Sequence, residues 1–245
     1  MATVKRFIRA VKDYYQHGET GDIAYLKIEL LRIGSNTDLS TQLEDVAGIY
    51  PAIDLEELSQ LPEGTLGYEY AQHMNQNNIH PLIISSDLIE AAKPALDSRY
   101  NGRKDLSASD PRNALSRNPF ALRFTATHDI FHVLLGFDTS YAGEVGVLGF
   151  MIGQGYSKFL QAYEPVVKHF YPFILRSQAQ QIRANLDRGK ALGKQAQCLL
   201  AYRFEDNWSR PIKGIRAELG LVLDSQQFDT ESGNTANQSP KIVTA

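Results

Sequence analysis

The sequence predicts a mainly α-helical protein, built as a single-domain multi-helix bundle with a hydrophobic groove between helices. Apolar residues recur at intervals of three and four wherever a pattern can be read, which is the spacing of one face of a helix. Alternation of apolar and polar residues with hairpin turns, the pattern of a half-buried sheet, is scarce. The 245 residues are 43% hydrophobic, which is enough for one domain of this size to bury a core.

The helical stripes and the turns between them predict the order of elements. The first stripe, within residues 4–15, is apolar on one face and carries Lys and Arg on another. We therefore predict an amphipathic N-terminal helix rather than a secretory signal. Further helices are predicted from stripes within residues 23–30, 66–74, 175–186 and 208–222. Pro and Gly between these stripes mark the connections.

The division into domains follows the loss of apolar residues near the end of the chain. Residues 1–223 form the predicted helical domain, whereas residues 224–245 have few apolar side chains to bury. We therefore predict a disordered polar tail. No run of about 18 consecutive apolar residues occurs, so we expect no transmembrane helix. Because no targeting segment can be read, we expect a cytoplasmic protein.

Charge and cysteine content exclude several classes of protein. The net charge of −3 and the lack of a dense basic block argue against a nucleic-acid partner. The lone Cys198 excludes an intramolecular disulfide and a multi-thiolate zinc finger. A metal site in this chain must therefore be built from His, Asp and Glu.

One predicted helix carries residues suited to binding a metal. His128 and His132 are four positions apart and Asp129 follows His128, so a helix places all three in one sector. Glu144 opens the next apolar segment, which a short connection would fold back toward the first. These four side chains are the predicted ligands of a divalent ion. Zn²⁺ suits the nitrogen ligands, and mixed nitrogen and oxygen ligation would also admit Fe, Mn or Mg.

A second interpretation of the histidine pair needs no metal, because two such histidines can simply be hydrogen-bonded in a core or on a surface. Burying two imidazoles and two carboxylates among apolar residues is costly without a compensating charge, however, and a cation supplies that charge. The spacing therefore favours a metal centre. His73 and His80 flank a predicted helix end and are interpreted as solvated or capping residues.

The segment after Glu144 is apolar on every side and is interrupted by glycines. Glycine in a helix costs up to about 1 kcal/mol relative to alanine, so a run of glycines indicates the close approach of another backbone or of a ligand. Tight helix–helix packing and a groove for a hydrophobic ligand both remain open. In the second case, the residues predicted to contact the lipid are Gly146, Gly149, Phe150 and Gly153.

Taken in order, these motifs resemble the signature of the ubiquinone (coenzyme Q) biosynthesis family called Coq-four. The pattern H-D-x-x-H, eleven residues and E is accompanied by L-P-E-G-T-L-G at residues 61–67 and by a closing segment at residues 204–221. Arg123 matches an arginine that the family keeps five residues ahead of the first histidine. Differences from the family at residues 125–126 and 148–151 fall on the expected substrate wall, so they put the substrate in question rather than the metal.

The resemblance implies binding of a prenylated aromatic quinone precursor or a related isoprenoid or isoprenoid phosphate lipid. It also implies peripheral contact with a membrane beside other quinone-biosynthesis enzymes, and oxidative removal of the ring carboxyl group. Glu144 and Arg123 are the expected catalytic residues, with Arg123 orienting a carboxylate or phosphate head group. The alternative is a non-catalytic isoprenoid-carrying or assembly protein, and a homodimer is an open possibility. A metal-dependent phosphohydrolase is a weaker third interpretation, since it shares only the adjacent His and Asp.

Overall fold

The computed structural model describes residues 53–82 and 119–222, together with residues 25, 42, 43 and 46. Over these residues the chain is helical, and its one extended pairing is an isolated antiparallel bridge between Thr65 and Pro211. The predicted mainly α fold is therefore confirmed. The α-helices are α1 (Leu55–Ser59), α2 (Leu66–Asn77), α3 (Pro119–Leu135), α4 (Tyr141–Gly153), α5 (Lys158–His169), α6 (Tyr171–Ile174), α7 (Ala179–Gln195) and α8 (Ile212–Glu218).

Several predicted elements lie outside the described residues. They are the N-terminal helix within residues 4–15 and the tail at residues 224–245, and the stripe within residues 23–30 is described only at Tyr25, which is helical and buried. Among the helices that are described, none combines the length and the apolar character needed to cross a membrane.

Local sequence signals explain where α2 begins and ends. The Thr65 hydroxyl accepts a hydrogen bond from the Tyr68 amide, which satisfies one of the free amides at the start of the helix. Asn78 ends the helix in the left-handed region, with φ at 51°. The predicted stripe faces the core through three fully buried residues: Leu66, Tyr70 and Met74.

Helices α3 and α4 are joined by a tight connection that folds one back toward the other. Gly136 adopts a φ of 64° just after α3, a conformation that glycine adopts without strain. Ser140 then caps α4 by accepting a hydrogen bond from the Gly143 amide at 3.2 Å. This geometry gives the short αα connection that the sequence predicted.

Two arginines from later helices bind the carboxyl end of α3. Arg188 of α7 donates to the Leu135 carbonyl at 2.9 Å, and Arg216 of α8 donates to the Leu134 carbonyl at 3.0 Å. The last carbonyls of a helix have no partner within the helix, and cations stabilise this end. The turn of α3 that carries His132 is therefore anchored from two sides.

Helices α4 and α7 pack at close range through glycines on both sides. A methyl group at Gly149 would lie 2.4 Å from the Leu186 carbonyl oxygen, and one at Gly189 would lie 2.0 Å from the Gly146 carbonyl oxygen. A Cβ atom cannot occupy these positions without moving a backbone. Helix–helix packing, one of the two alternatives left open by the sequence, therefore accounts for these glycines.

The other residues predicted to contact a lipid are also covered by protein. A methyl group at Gly146 would lie 2.5 Å from the ring of Phe137, and one at Gly153 would lie 2.4 Å from a backbone oxygen of α7. Phe150 is fully buried and packs edge to face on Phe131, with the ring centroids 6.0 Å apart. These contacts assign the four residues to packing, and lipid contact at these positions stays a prediction.

Two of the predicted stripes extend beyond the helices that they indicate. Helix α7 begins after Leu175, and α8 covers only the middle of the stripe within residues 208–222. Gly220, with φ at 73°, ends that helix, and Val222 is 74% exposed. Trp208 lies before α8 and packs on Tyr70 with ring centroids 5.6 Å apart. Apolar spacing of three and four therefore continued by chance through irregular segments.

Candidate metal centre

Helices α3 and α4 bring three of the four predicted ligands together. His128, His132 and Glu144 each offer one ligand atom, and these atoms lie within 4.8 Å of one another. The Glu144 carboxylate lies between the imidazoles, with one oxygen 3.4 Å from Nε2 of His128 and the other 3.4 Å from Nε2 of His132. Ligand atoms about 2.0–2.1 Å from a tetrahedral zinc ion are about 3.3 Å apart. The spacing therefore fits a shared cation.

The hydrogen bonds of His132 leave one of its ring nitrogens available as a ligand. Its Nδ1 lies 3.2 Å from the Phe137 carbonyl oxygen and 3.0 Å from that of Asp138. Because carbonyl oxygens only accept hydrogen bonds, Nδ1 carries a proton and donates it, and in the neutral ring the lone pair is then on Nε2. Outer partners of this kind orient metal-bound histidines.

The surroundings of His132 also favour a cation. The residue is 2% exposed, and its Nε2 is buried without a hydrogen-bond partner. Buried polar atoms in proteins are nearly always paired, so an unpaired lone pair beside a carboxylate needs an explanation. A cation bound by Nε2 of His132 and by the Glu144 carboxylate would give this nitrogen a partner. The residues present therefore fit the predicted metal.

The ionisation of the cluster shows how it is balanced without a metal. Burial lowers the pKa of His128, but its contacts with Asp129 and Glu144 outweigh that effect and raise the pKa to about 10. Burial raises the pKa of Glu144, but its contacts with His128 and His132 overcome that effect and hold the pKa well below its usual value. A proton on His128 therefore supplies the positive charge that a bound cation would replace.

Asp129 stands apart from the three clustered residues, although the sequence predicted it as a ligand. Its carboxylate lies 3.5 Å from Nδ1 of His128, whereas the other ring nitrogen of His128 faces Glu144. A carboxylate at the outer nitrogen of an imidazole orients the ring and raises its basicity. In this structure Asp129 is placed to orient His128 rather than to complete the cluster.

Arg123, predicted to orient a ligand carboxylate, binds protein groups instead. It is 2% exposed, donates to the Leu200 carbonyl at 3.2 Å and forms an ion pair with Glu205 at 3.0 Å. Burial lowers the pKa of the guanidinium, and Glu205 acts against this shift. These contacts tie α3 to the segment around Leu199–Ala201 and Phe204–Asp206. They give no support to a ligand-binding role for Arg123, which stays a prediction.

The sequence analysis missed one neighbour of the cluster, His73 of α2. Its ring stacks on that of His132, with centroids 6.1 Å apart and planes 18° apart. Burial and the nearby His132 lower the pKa of His73 to about 4, and its Nε2 is buried without a hydrogen-bond partner. The prediction of a solvated or capping residue is therefore wrong for His73. Its position three residues after the buried Tyr70 was the available signal.

The fold and the site together define an all-α protein with two histidines and a glutamate clustered between adjacent helices. A family model described as "Coenzyme Q (ubiquinone) biosynthesis protein Coq4" matches residues 120–224, which include all three clustered side chains. The match covers the histidine motif and the closing segment at residues 204–221, and the predicted resemblance is confirmed. Over these residues the chain is similar to the Coq4 family.

Curated relatives show the same similarity. The rat protein named "Ubiquinone biosynthesis protein COQ4 homolog, mitochondrial" is 29% identical over 174 residues, which are 69% of this chain and 55% of the relative. The mouse protein of the same name is 28% identical over 174 residues, which are 69% of this chain and 54% of the relative. The chain thus spans about half the length of these curated relatives.

A solved structure supports the fold. The crystal structure described as a "Putative ubiquinone biosynthesis protein" from Nostoc punctiforme superposes with a TM-score of 0.54 and covers 89% of this chain and 96% of the other. At 18% identity, the likeness bears on the arrangement of helices alone.

Proposed function

We propose that this protein acts in ubiquinone-type quinone biosynthesis and binds a prenylated aromatic precursor, or a related isoprenoid lipid, next to a divalent metal. The observation that carries the proposal is the cluster of His128, His132 and Glu144, in which the buried Nε2 of His132 lies 3.4 Å from a carboxylate oxygen. Similarity to the Coq4 family model over residues 120–224 supports the pathway, and the chemistry of the cluster supports the metal.

The proposed metal would be held by the Nε2 atoms of both histidines and by the carboxylate of Glu144. Two imidazoles and one carboxylate suit Zn²⁺, which is the ion we propose, with Fe, Mn or Mg as alternatives. When bound, such a cation supplies Lewis-acid stabilisation of negative charge on a carboxylate or ring oxygen.

The protein's own side chains would position the reacting acid. Glu144 is ionised because its histidine neighbours lower its pKa, and its side chain is 28% exposed, so a ligand can reach it. His132 is fixed by the carbonyls beyond α3, and Asp129 orients His128. We propose Glu144 as the catalytic residue in contact with the substrate.

The proposed reaction replaces the ring carboxyl group with a hydroxyl group. Water supplies the oxygen of the new hydroxyl group, and the carboxyl carbon leaves as carbon dioxide. Dioxygen is the oxidant, which takes up the two electrons and two protons released and becomes hydrogen peroxide. A prenylated hydroxybenzoate labelled at its carboxyl carbon should therefore release labelled carbon dioxide in air with the wild-type protein. Glu144→Gln should abolish this release, because the amide cannot replace the charged ligand.

The matched control for this assay is Glu218→Gln, which removes an exposed carboxylate that pairs with Arg210 on the surface. Its labelled carbon dioxide should equal that of the wild type. Equal release by Glu144→Gln and the wild type would contradict a catalytic role for Glu144. Release by neither protein, with lipid still bound, would favour the non-catalytic alternative.

An exposed aromatic surface favours the second candidate function, an isoprenoid-carrying or assembly protein that works at a membrane. We name it the α5–α6 stripe, and its members are between 40% and 65% exposed: Phe159, Val166, Phe170, Phe173 and Ile174. Leu160 and Val167 of the same helix are buried, so the stripe is not the core face of α5. Large exposed apolar patches mark interaction surfaces.

The charges around the α5–α6 stripe fit an anionic bilayer surface. Lys158 begins α5, and Arg176 follows α6 with its guanidinium 5.4 Å from the centroid of the Phe173 ring. The acidic side chain within residues 158–176 is Glu164, and it is paired with Lys190. Aromatic side chains between cations are typical of helices that lie in the membrane interface. We therefore propose peripheral contact with a membrane through this stripe.

Co-sedimentation with lipid vesicles tests the membrane contact. The wild-type protein should bind vesicles that contain anionic phospholipid, and the double variant Phe170→Ser/Phe173→Ser should bind at least about tenfold more weakly, since each buried Phe contributes about 2 kcal/mol. Val222→Ser removes an exposed apolar side chain outside the stripe and should bind as the wild type does. Unchanged vesicle binding by the double variant, or a loss of dimer instead, would overturn this assignment.

A further inference from the structure

We propose that His73 binds an oxygen atom of the ligand that occupies the cluster, through a hydrogen bond from its Nε2, and does not bind the cation itself. The inference rests on the proposed metal centre and adds to it a residue from a third helix. The ligand class is an anionic oxygen ligand, of which the carboxylate of an aromatic acid is the example relevant to the proposed function.

Unpaired ring nitrogens on two helices point to this ligand. The Nε2 atoms of His73 and His132 are both buried without a hydrogen-bond partner, and their rings lie nearly parallel with centroids 6.1 Å apart. A single unpaired buried nitrogen can be a packing defect, but two side by side indicate one shared ligand site. The Nε2 atom of His132 faces Glu144 and the proposed cation. The Nε2 atom of His73 is therefore the one available to a ligand.

The distances separate His73 from the cation. Among the described residues, the group whose ligand atoms lie within 4.8 Å of one another does not include His73. Catalytic centres with three protein ligands keep a further position for water or substrate. A group bound there extends away from the cation, and an imidazole N–H can donate to its oxygen.

Helix α2 holds His73 beside the cluster through two sets of contacts. At its start, the amides of Leu66 and Gly67 donate to backbone carbonyls just before α8 at 2.9 and 2.8 Å. At its end, the Asn77 side-chain amide donates to the His73 carbonyl at 2.8 Å, and its oxygen accepts from the Thr139 hydroxyl at 3.0 Å. Thr139 belongs to the connection between α3 and α4, so Asn77 links the backbone of His73 to the segment that joins the two helices of the site.

The test loads the full chain with Co²⁺ and then adds 4-hydroxybenzoate as the probe ligand. The visible absorption of the bound Co²⁺ reports both metal binding and a change in its ligands. We expect His73→Phe to weaken 4-hydroxybenzoate binding about tenfold or more, as a lost hydrogen bond to a charged group would, with Co²⁺ affinity within about threefold of wild type. His73→Gln keeps a donor and should restore part of the affinity.

Three further measurements make the result decisive. His80→Phe removes an exposed histidine of the same segment and should leave both affinities unchanged. Thermal melting checks that His73→Phe is folded, and His73→Leu replaces it if it is not. Wild-type protein that takes up no Co²⁺ overturns the metal centre and this inference with it. Normal 4-hydroxybenzoate binding by folded His73→Phe, or loss of Co²⁺ as in His132→Ala, overturns the inference alone.

Discussion

The His132→Ala variant should lose its metal. The Nε2 of His132 is buried beside Glu144, and the two carbonyls that bind Nδ1 hold the ring in place. Removing outer partners of a metal ligand already costs about 10–100-fold in affinity, and removing the ligand itself should cost at least about 100-fold. Elemental analysis of the purified protein and competition with a chelator measure the loss.

The control for the loss of metal is His80→Ala, because His80 is an exposed histidine on a neighbouring segment. Its metal content should equal that of the wild type. Unfolding in the presence of chelator shows whether His132→Ala keeps the fold, since the buried ring leaves a cavity. Equal metal in His132→Ala and the wild type would rule out this cluster as the binding site.

The largest effect on stability is expected at Gly189 of α7. In Gly189→Ala the new Cβ would lie 2.0 Å from the Gly146 oxygen and 2.9 Å from the Phe150 nitrogen. Both are backbone atoms, which cannot rotate away as a side chain would, so α4 and α7 must separate. Overpacking of a core typically costs 1–3 kcal/mol, and we expect a loss of about 3 kcal/mol or more in the free energy of unfolding, measured with urea.

Gly214 provides the matched control within the same fold. It lies in α8 with no atom within 4 Å of an added Cβ, so Gly214→Ala should stabilise the protein by about 0.5–1 kcal/mol through helix propensity. Because α4 also carries Glu144, Gly189→Ala should bind metal more weakly as well. If Gly189→Ala and Gly214→Ala had the same stability, the close packing of α4 on α7 would be wrong.

The cluster of candidate metal ligands could be predicted because its parts are local in sequence. His128 and His132 share a helix face through their spacing, and a short connection brings Glu144 back to them. His73 could not be predicted in the same way, since it reaches the site only through contacts of α2 with distant segments, such as the bond from the Leu66 amide to the Arg210 carbonyl. Periodicity describes one helix and says nothing of its neighbours.

The same limit applies to residues whose role depends on a partner helix. The sequence could not choose between packing and a groove for Gly149, because the choice depends on whether α7 approaches, as its contact with the Leu186 oxygen shows. Arg123 appeared suited to binding a carboxylate and is instead paired with Glu205, which lies 82 residues later. Long-range pairings of this kind leave no periodic trace in a single sequence.

A crystal structure of the zinc-loaded protein, with anomalous scattering recorded at the zinc edge, tests the central claim most directly. The proposed centre predicts one strong peak about 2.0–2.2 Å from the Nε2 atoms of His128 and His132 and from a carboxylate oxygen of Glu144. A peak elsewhere, or no peak at this cluster in protein that contains stoichiometric zinc, would contradict it.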